Sequence, residues 1–326
     1  MRFRKLGNTE LMVSEIGLGC SGYWGDKAFP ERKAIGIIEK AYELGINFFD
    51  TGHNYSNFHA EPRLGRALKK VLNNSPRNKI IISTKAGSKA GYAPTVADND
   101  TRFSDFTAEA IEKSCIESIN NLQCEYLDVF QLHGFDKKTF SEELARCLQE
   151  LKKKGLVRSI GVNTHFKDDL IFVSSFPEVF DMVLTDCNVL ELDRYDLINM
   201  LSSKGIGVVV GTVLAQGHLV KRKIGALHDG SYLWYLARTI LKPTTRDFFR
   251  FSKPMRKVLS SIPEMSAAQA AFSYILQNHD ISSCIFGTTN IKNLIEVVES
   301  SNKKLTDLSK KKIEDTFNAL NLHLSR

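Results

Sequence analysis

Four polar residues stand at or just after the ends of three strand-like runs, and their placement constrains the fold strongly. Asp50 closes the apolar run that begins at Ile46, and Tyr55 follows one short loop later. Lys85 and His133 close two further β-like runs. In a barrel of parallel strands, all carboxyl ends open onto one face, so residues far apart in sequence meet there. The positions therefore predict one site built from these four side chains.

The four residue types can together support the donation of a proton. A free tyrosine hydroxyl has a pKa near ~10 and is a poor acid at neutral pH. An ammonium from Lys85 would lower the pKa of Tyr55, the Asp50 carboxylate would hold that ammonium, and the His133 imidazole would orient the group being protonated. The alternatives are a surface tyrosine, an ordinary Asp–Lys salt bridge and a core histidine. The combination favours a proton-donating catalytic set.

Strand-like and helix-like segments alternate along the 326 residues, which predicts an α/β fold with parallel strands. Eight strands would close into a (β/α)8 barrel, formed as one domain over residues 1–326. These strands are predicted to end near Gly19, Asp50, Lys85, His133, Val162, Asp186, Gly211 and Gly287. Helices are predicted over Pro30–Leu44, Thr107–Leu122, Ser141–Lys154 and Tyr195–Lys204.

Composition and cysteine usage narrow the class of protein. No run approaches the ~18 uninterrupted apolar residues of a membrane helix, and the polar start lacks an apolar signal-peptide core. The six cysteines are scattered without a Cys-x-x-Cys motif, as expected for free thiols in a reducing compartment. We therefore expect a cytoplasmic protein with no membrane partner.

The net charge of +7 raises the question of a nucleic-acid partner. The lysine runs 152–154 and 310–312 are better interpreted as solvated helix faces, because no aromatic-basic binding motif accompanies them. A pocket for a phosphorylated cofactor would account for part of the excess. We expect no nucleic-acid partner, and a monomer or weak oligomer.

Histidines raise a second alternative, a metal centre that supports hydrolysis on the same barrel. His53, His59 and His165 could join His133 as ligands. No His-x-His closes a strand, and Lys85 would be a poor neighbour for a cation. We therefore predict no metal.

Two long segments interrupt the regular pattern. Ala86–Asp105 follows the lysine strand, and Lys221–Pro263 is longer and rich in aromatic residues, including Trp234. Both follow strand carboxyl ends, so both are predicted to be long loops on the active face. Insertions of this length in a compact fold are usually functional lids or mobile segments.

The chain resembles the aldo-keto reductase family over nearly its whole length. The resemblance rests on the order of several short matches with all four polar positions filled: Lys5–Thr9, Val13–Gly19, Asn47–Thr51, Glu61–Leu68, Tyr126–His133, Gly155–Val162 and Ala215–Leu219. It implies an N-terminal β-hairpin and hydride transfer between a nicotinamide cofactor and a carbonyl–alcohol pair. Tyr55 would be the proton donor. Some relatives serve as cofactor-sensing regulatory or binding subunits, and that alternative stays open.

The residues at the positions that bind the nicotinamide in this family depart from the family pattern. The usual Ser-Asn pair reads Asn163-Thr164, no Gln occurs around Leu184–Asp186, and Gly211 stands where a Tyr commonly stacks on the nicotinamide. After the last strand, a segment that opens a helix could receive the adenosine phosphate; a simple capped helix is the alternative. The resemblance implies NADP, with NAD as the alternative, bound by Asn163, Thr164, Gly211, Leu214, Gly217, Gly287, Thr288, Thr289, Lys292 and Asn293.

Substrate contacts are expected from residues near the predicted strand ends. They are Tyr23 and Trp24, His53 and Phe58 beside Tyr55, and Trp234 in the aromatic segment. Aromatic residues in such segments often serve local packing instead. This mixture of side chains would suit a small polar carbonyl, such as an aldehyde, a ketone or a sugar.

Overall fold

The computed structural model describes residues 1–88, 104–220 and 243–320, and only the backbone of 243–249. Eight parallel strands close into a barrel in the order β10-β3-β4-β5-β6-β7-β8-β9, and two short antiparallel strands precede it. The predicted barrel and the N-terminal hairpin are both confirmed. The strands are β1 Phe3–Lys5, β2 Met12–Ser14, β3 Ile16–Gly19, β4 Phe48–Asp50, β5 Ile81–Ala86, β6 Leu127–His133, β7 Val157–Asn163, β8 Met182–Asp186, β9 Gly207–Gly211 and β10 Ile281–Phe286.

Helices connect the strands on the outside of the barrel, and the predicted helices form within one residue of their expected ends. Thr107 and Ser141 accept backbone N–H bonds at helix starts, which satisfies donors that the helix itself leaves free. The helices are α1 Glu31–Glu43, α2 Ala60–Leu72, α3 Ala108–Leu122, α4 Glu142–Lys153, α5 Lys167–Val173, α6 Tyr195–Ser203, α7 Pro243–Leu259, α8 Ala267–Leu276, α9 Ile291–Glu299 and α10 Asp307–Leu320.

The hairpin covers the amino-terminal end of the barrel. Leu6, Leu11 and Val13 are buried in one apolar cluster with residues that point into the barrel, such as Phe48 and Val129. A separate, larger apolar cluster fills the space between the strands and the surrounding helices. Because the hairpin fills the amino-terminal end, the polar chemistry is left to the carboxyl end of the strands.

The second of the two long segments differs from the expectation of a loop, whereas the first is described only at its two ends. Residues 89–103 lie outside the described part of the chain, but Ser88 and Ser104 form an antiparallel bridge at its base. In the second segment, residues 221–242 lie outside the description, and the remainder forms α7 with Met255 and Leu259 buried. The helix forms there because these apolar side chains recur at helical spacing.

The lysines of the first predicted basic run meet acidic partners at the surface. Lys152 lies 2.7 Å from Asp181, and Lys154 lies 2.7 Å from Glu112. Such half-exposed and exposed pairs fit the interpretation of solvated helix faces. Within the described ranges, no helix has the length and apolar character that crossing a membrane requires.

Candidate active site

Three neighbouring barrel strands bring the predicted residues together at their carboxyl ends. Asp50 ends β4, Lys85 is the penultimate residue of β5, and His133 ends β6. These strands pair in parallel, so their ends lie side by side. Tyr55 stands in the loop after β4, in a turn where its N–H donates to the Gly52 carbonyl at 3.0 Å. The sequence-based prediction of where these residues lie therefore agrees with the structure.

Asp50 and Lys85 form a buried ion pair. The Lys85 Nζ donates to Oδ2 of Asp50 at 2.5 Å and to the Thr51 carbonyl at 2.6 Å. The Lys85 side chain is completely shielded from solvent. Both ends of the pair are held by strand backbones, so the ammonium has a fixed position.

The pair also fixes the protonation state of the lysine. Burial alone would lower the pKa of Lys85, but the charge of Asp50, then that of Tyr55, and hydrogen bonds to both raise that pKa overall. Lys85 therefore carries its proton at neutral pH. An ammonium hydrogen-bonded to a phenol favours the phenolate form.

Tyr55 and His133 meet above this pair. Their ring centroids are 5.2 Å apart and the rings are nearly perpendicular, at 84°. The Lys85 Nζ lies 5.0 Å from the centre of the Tyr55 ring. One hydroxyl, one imidazole and one ammonium thus converge on a single small volume.

Ser88 contacts the catalytic-face histidine from the end of β5. Its Oγ lies 3.1 Å from Nδ1 of His133 and 3.4 Å from the His133 carbonyl oxygen. The Ser88 hydroxyl has one proton, which it can donate either to the carbonyl or to Nδ1; donation to Nδ1, the shorter contact, leaves the ring proton on Nε2. Sequence reasoning missed Ser88, which stands in the segment that was expected to be a loop.

Two buried residues beneath Asp50 were also missed. The Nε2 of Gln131 donates to Oδ1 of Asp50 at 2.9 Å and to the Ser83 Oγ at 2.6 Å, and Ser83 donates to the same Asp50 oxygen at 2.9 Å. Ser83 and Gln131 precede Lys85 and His133 by two positions. Side chains two apart on a strand share a face, so this spacing could have identified both.

The residues predicted to hold the nicotinamide amide lie at the end of β7. Asn163 donates from Nδ2 to the Leu184 carbonyl at 3.1 Å, and Thr164 donates from Oγ1 to Oδ2 of Asp169 at 3.1 Å. Both side chains are buried. Their remaining hydrogen-bonding capacity, chiefly the Asn163 amide oxygen, is what they could offer a ligand.

Gly211 ends β9, at the position where the resemblance led us to expect no aromatic ring to stack on the nicotinamide. Among the described residues, a Cβ added to Gly211 would meet only the Thr185 carbonyl, at 3.9 Å. Leu214 precedes the short 3-10 turn that follows, and Gly217 is the last residue of that turn, with a φ of 88°. The missing aromatic ring therefore leaves space at this position.

The predicted phosphate segment follows β10 and opens α9. Asn290 caps the helix by accepting the Lys292 N–H at 2.8 Å, and the Thr288 Oγ1 accepts the Asn290 N–H at 3.1 Å. Gly287, Lys292 and Asn293 are exposed, and Thr288 and Thr289 are half-buried. The segment presents hydroxyls and a cation at a helix N-terminus, a donor set that suits an anion.

A further polar group across β7, β8 and β9 was not predicted. The Nδ1 of His165 lies 2.7 Å from Oδ2 of Asp186, whose Oδ1 accepts the Thr212 hydroxyl at 3.0 Å. Asp186 is 2% exposed. Its carboxylate therefore ties three strand ends together beside Gly211. Asp186 was recognised only as a strand end, and its partners come from neighbouring strands.

The predicted substrate contacts divide into different environments. Trp24 is 2% exposed and donates to the Ala34 carbonyl at 3.3 Å, a placement that favours packing in the core. Tyr23 is half-buried and packs against Phe29 at 5.4 Å between ring centroids. Phe58 is 37% exposed, and Trp234 lies outside the described residues.

His53 faces two carboxylates. Its Nδ1 lies 3.3 Å from Glu61 and its Nε2 lies 3.4 Å from Glu117. The hydrogen bond to Glu61 raises the pKa of His53, partial burial opposes this shift, and the charges of both glutamates add to it. Among the described residues, no group of histidine, cysteine or acidic side chains is arranged to hold a metal ion.

The fold and this constellation define a parallel-barrel enzyme. Active sites of such barrels lie at the carboxyl ends of the strands. A phenol hydrogen-bonded to a buried ammonium, with an imidazole beside it, can transfer a proton to or from a substrate oxygen.

Comparison with known proteins identifies the family. The model of the aldo/keto reductase family matches residues 15–317, so the chain belongs to that family and is an NAD(P)-dependent oxidoreductase. L-galactose dehydrogenase from Arabidopsis thaliana is 31% identical over 309 residues, covering 91% of this chain and 87% of that protein. The NADH-specific methylglyoxal reductase of Escherichia coli K12 is 25% identical over 319 residues, covering 93% and 94%. An aldo-keto reductase from Bacillus halodurans, AKR11C1, has a similar fold, with a TM-score of 0.76 at 24% identity, covering 97% and 96%.

Proposed function

We propose that the protein interconverts a small carbonyl compound and its alcohol with NADP(H), and that Tyr55 is the proton donor. The single observation that carries the proposal is the Lys85 ammonium, which is buried, paired with Asp50 at 2.5 Å and hydrogen-bonded to Tyr55. A fixed cation beside a phenol is what proton release from tyrosine near neutral pH requires.

Each of the four residues has a separate task in this proposal. Tyr55 gives its proton to the substrate oxygen as negative charge develops there. Lys85 stabilises the phenolate that remains, and Asp50 keeps the ammonium in position. His133 donates from Nε2 to the same substrate oxygen and turns it toward Tyr55, provided that Ser88 donates to its Nδ1. In the reverse direction, Tyr55 takes the proton back from the alcohol.

A bound nicotinamide would supply the hydride that a carbonyl reduction needs. The residues at the barrel mouth fit such a group. Asn163 stands at the end of β7, and within the described part of the chain its amide oxygen accepts no hydrogen bond. The space that the described residues leave at Gly211 would admit a ring without an aromatic platform. Thr288, Thr289 and Lys292 surround the N-terminus of α9, where an anion is stabilised.

We propose a preference for NADP(H) over NAD(H). Lys292 and the hydroxyls at the start of α9 support binding of a 2′-phosphate. The preference should be smaller than an arginine would give, because a lysine lacks the planar two-pronged grip on a phosphate. The methylglyoxal reductase named above is described as NADH-specific, which makes the choice of cofactor a direct test.

For the substrate class we propose a small, oxygen-rich aldehyde, ketone or sugar. The names of two relatives, a galactose dehydrogenase and a methylglyoxal reductase, point to compounds of this kind. Tyr23 and Phe58, two of the predicted contacts, retain exposed surface. They could present both a hydroxyl and an apolar face to such a compound.

The proposal is tested with the purified chain and a panel of aldehydes, ketones and sugars, followed by nicotinamide absorbance in both directions. We expect turnover with at least one small polar carbonyl or its alcohol. Tight binding of the nucleotide without turnover of any panel member would overturn the enzyme assignment to this site and support the cofactor-sensing alternative.

A further inference from the structure

The turn that follows Tyr55 has a strained backbone. Ser56, Asn57 and Phe58 have φ values of 52°, 54° and 65°. Consecutive non-glycine residues in the left-handed region persist only where the surrounding structure holds them. Helix α2 begins shortly after this turn, at Ala60. The position of Tyr55 therefore depends on the contacts that close the turn.

His53 closes the turn from its amino-terminal side. Its Nδ1 reaches Glu61 in the first turn of α2 at 3.3 Å, and its Nε2 reaches Glu117 on α3 at 3.4 Å. The Phe58 ring packs edge-on against the imidazole, with centroids 5.2 Å apart. The backbone N–H of His53 donates to the Lys85 carbonyl at 3.0 Å. One residue thus links the Tyr55 loop, two helices and the lysine strand.

The neighbours of His53 reach the Asp50–Lys85 pair on one side and the Tyr55 ring on the other. Glu61 is fully buried and accepts the Thr84 hydroxyl at 2.6 Å, directly beside Lys85. A Cβ added to Gly52 would lie 3.2 Å from the Tyr55 ring. The ring therefore lies over the residue next to His53, and a shift of His53 would move the surface that supports it.

We propose that His53, held as an imidazolium between Glu61 and Glu117, is a positioning residue that keeps Tyr55 beside Lys85. This inference rests on the proposed function. It gives His53 a different task from the substrate contact expected from the sequence, because both of its ring nitrogens are directed at carboxylates.

The charges around the imidazole have a defined pH dependence. Glu61 on α2 and Glu117 on α3 face it, and Lys113 stands behind Glu117 at 4.0 Å. Burial would raise the pKa of Glu61, but hydrogen bonds from His53 and from polar neighbours lower it overall. The pKa of His53 is raised, so the ion pair is complete below the ordinary histidine value and is lost as pH rises through the raised value.

The test compares kcat and KM of the wild type and His53→Gln between about pH 6 and about pH 9, on either side of the ordinary histidine pKa of ~6.5. Glutamine keeps a hydrogen bond but carries no charge. Because a small misplacement of a reacting group can cost up to ~100-fold, we expect kcat to fall about tenfold at the acidic end. The wild-type to variant ratio should approach one at the alkaline end.

Two further variants sharpen the comparison. Glu117→Gln removes one carboxylate, so the alkaline decline of the wild-type profile should move to lower pH. His279→Gln, at an exposed site, is the matched control and should leave the profile unchanged. A wild-type to His53→Gln ratio that does not vary with pH would overturn the inference, as would a rise in KM at constant kcat.

A second measurement does not depend on turnover. Titration of the His53 ring by NMR should give a pKa above the ordinary value, and the Tyr55 ring signals should shift with it. An ordinary His53 pKa, or Tyr55 signals that ignore its titration, would contradict the inference even in a chain without activity. Absence of turnover in the wild type at every pH would instead contradict the proposed function.

Discussion

Gln131 donates from Nε2 to Oδ1 of Asp50 at 2.9 Å, joining residues 81 positions apart in the sequence. This bond turns one carboxylate oxygen into the barrel interior, while the other faces Lys85. The catalytic face is therefore continuous with a polar group inside the barrel.

Gln131→Met should destabilise the protein, because Asp50 loses a donor in a buried setting. Hydrogen bonds to charged groups contribute about 1.5–3 kcal/mol. The loss should fall at the lower end, since the Oε1 of Gln131 is buried without a hydrogen-bond partner in the described part of the chain. Urea unfolding measures the loss in free energy of unfolding for Gln131→Met. Gln277→Met, at a half-buried position outside the barrel interior, is the control. Equal stabilities would show that this bond contributes nothing.

Tyr55→Phe should remove most turnover and leave nucleotide binding nearly intact, because the ring still packs and only the donated proton is missing. General acid catalysis typically contributes ~10²–10⁴-fold. Steady-state kcat measures the loss of turnover, and a nucleotide fluorescence titration measures the retained binding. Tyr42→Phe is the matched control, since the Tyr42 hydroxyl donates to Ser75 on the outer side of the barrel. A variant that retains more than half of wild-type activity would show that Tyr55 is not the donor.

Lys85→Met should reduce activity sharply, leaving a residual rate with an altered pH dependence, and should reduce stability as well. Removing one partner of a buried pair typically costs about 3–5 kcal/mol, because Asp50 would be left buried and unpaired. Lys152→Met, which breaks a half-exposed pair, should cost about 0–1 kcal/mol. Unfolding midpoints and pH–rate profiles of the three proteins test this. An unchanged pH–rate profile would refute coupling between Lys85 and Tyr55.

The direction of the Lys85 pKa shift determines how the Asp50–Lys85 ion pair contributes to stability at different pH values. The pKa of Lys85 is raised on folding, so its contribution is complete below the ordinary lysine value of ~10.4 and is lost only as pH rises through the higher folded value. Thermal unfolding should therefore show no loss of this contribution near neutral pH. Loss of the wild-type advantage over Lys85→Met already at neutral pH would contradict the assignment of a charged lysine.

The preference for NADP(H) should be about ten- to a hundred-fold, because one charge-assisted hydrogen bond contributes about 1.5–3 kcal/mol. Values of kcat/KM for both reduced cofactors with one substrate measure it. Lys292→Gln should reduce the preference for NADP(H), and Lys292→Arg should increase it. Lys304→Gln, at another exposed site, is the control and should leave the preference unchanged. A tenfold preference for NADH would show that this segment does not receive a 2′-phosphate.

The sequence by itself determined the barrel and where its four polar residues would meet. Strand and helix periodicity is local, and parallel strands in a closed barrel all place their carboxyl ends on one face. Asp50, Lys85 and His133 end predicted strands, so their proximity followed from topology alone. Ser83 and Gln131 were within reach of the same argument through their spacing of two.

Tertiary structure alone decided which partners each polar side chain meets. His53 was expected to contact substrate, but Glu61 and Glu117 come from two separate helices and enclose its ring. Trp24 was expected at the site, yet it is buried against α1. Such contacts depend on how helices pack around the barrel, with side chains from distant positions brought within hydrogen-bond distance. Local patterns record which face of an element is apolar, and they carry no information on which neighbour that element will meet.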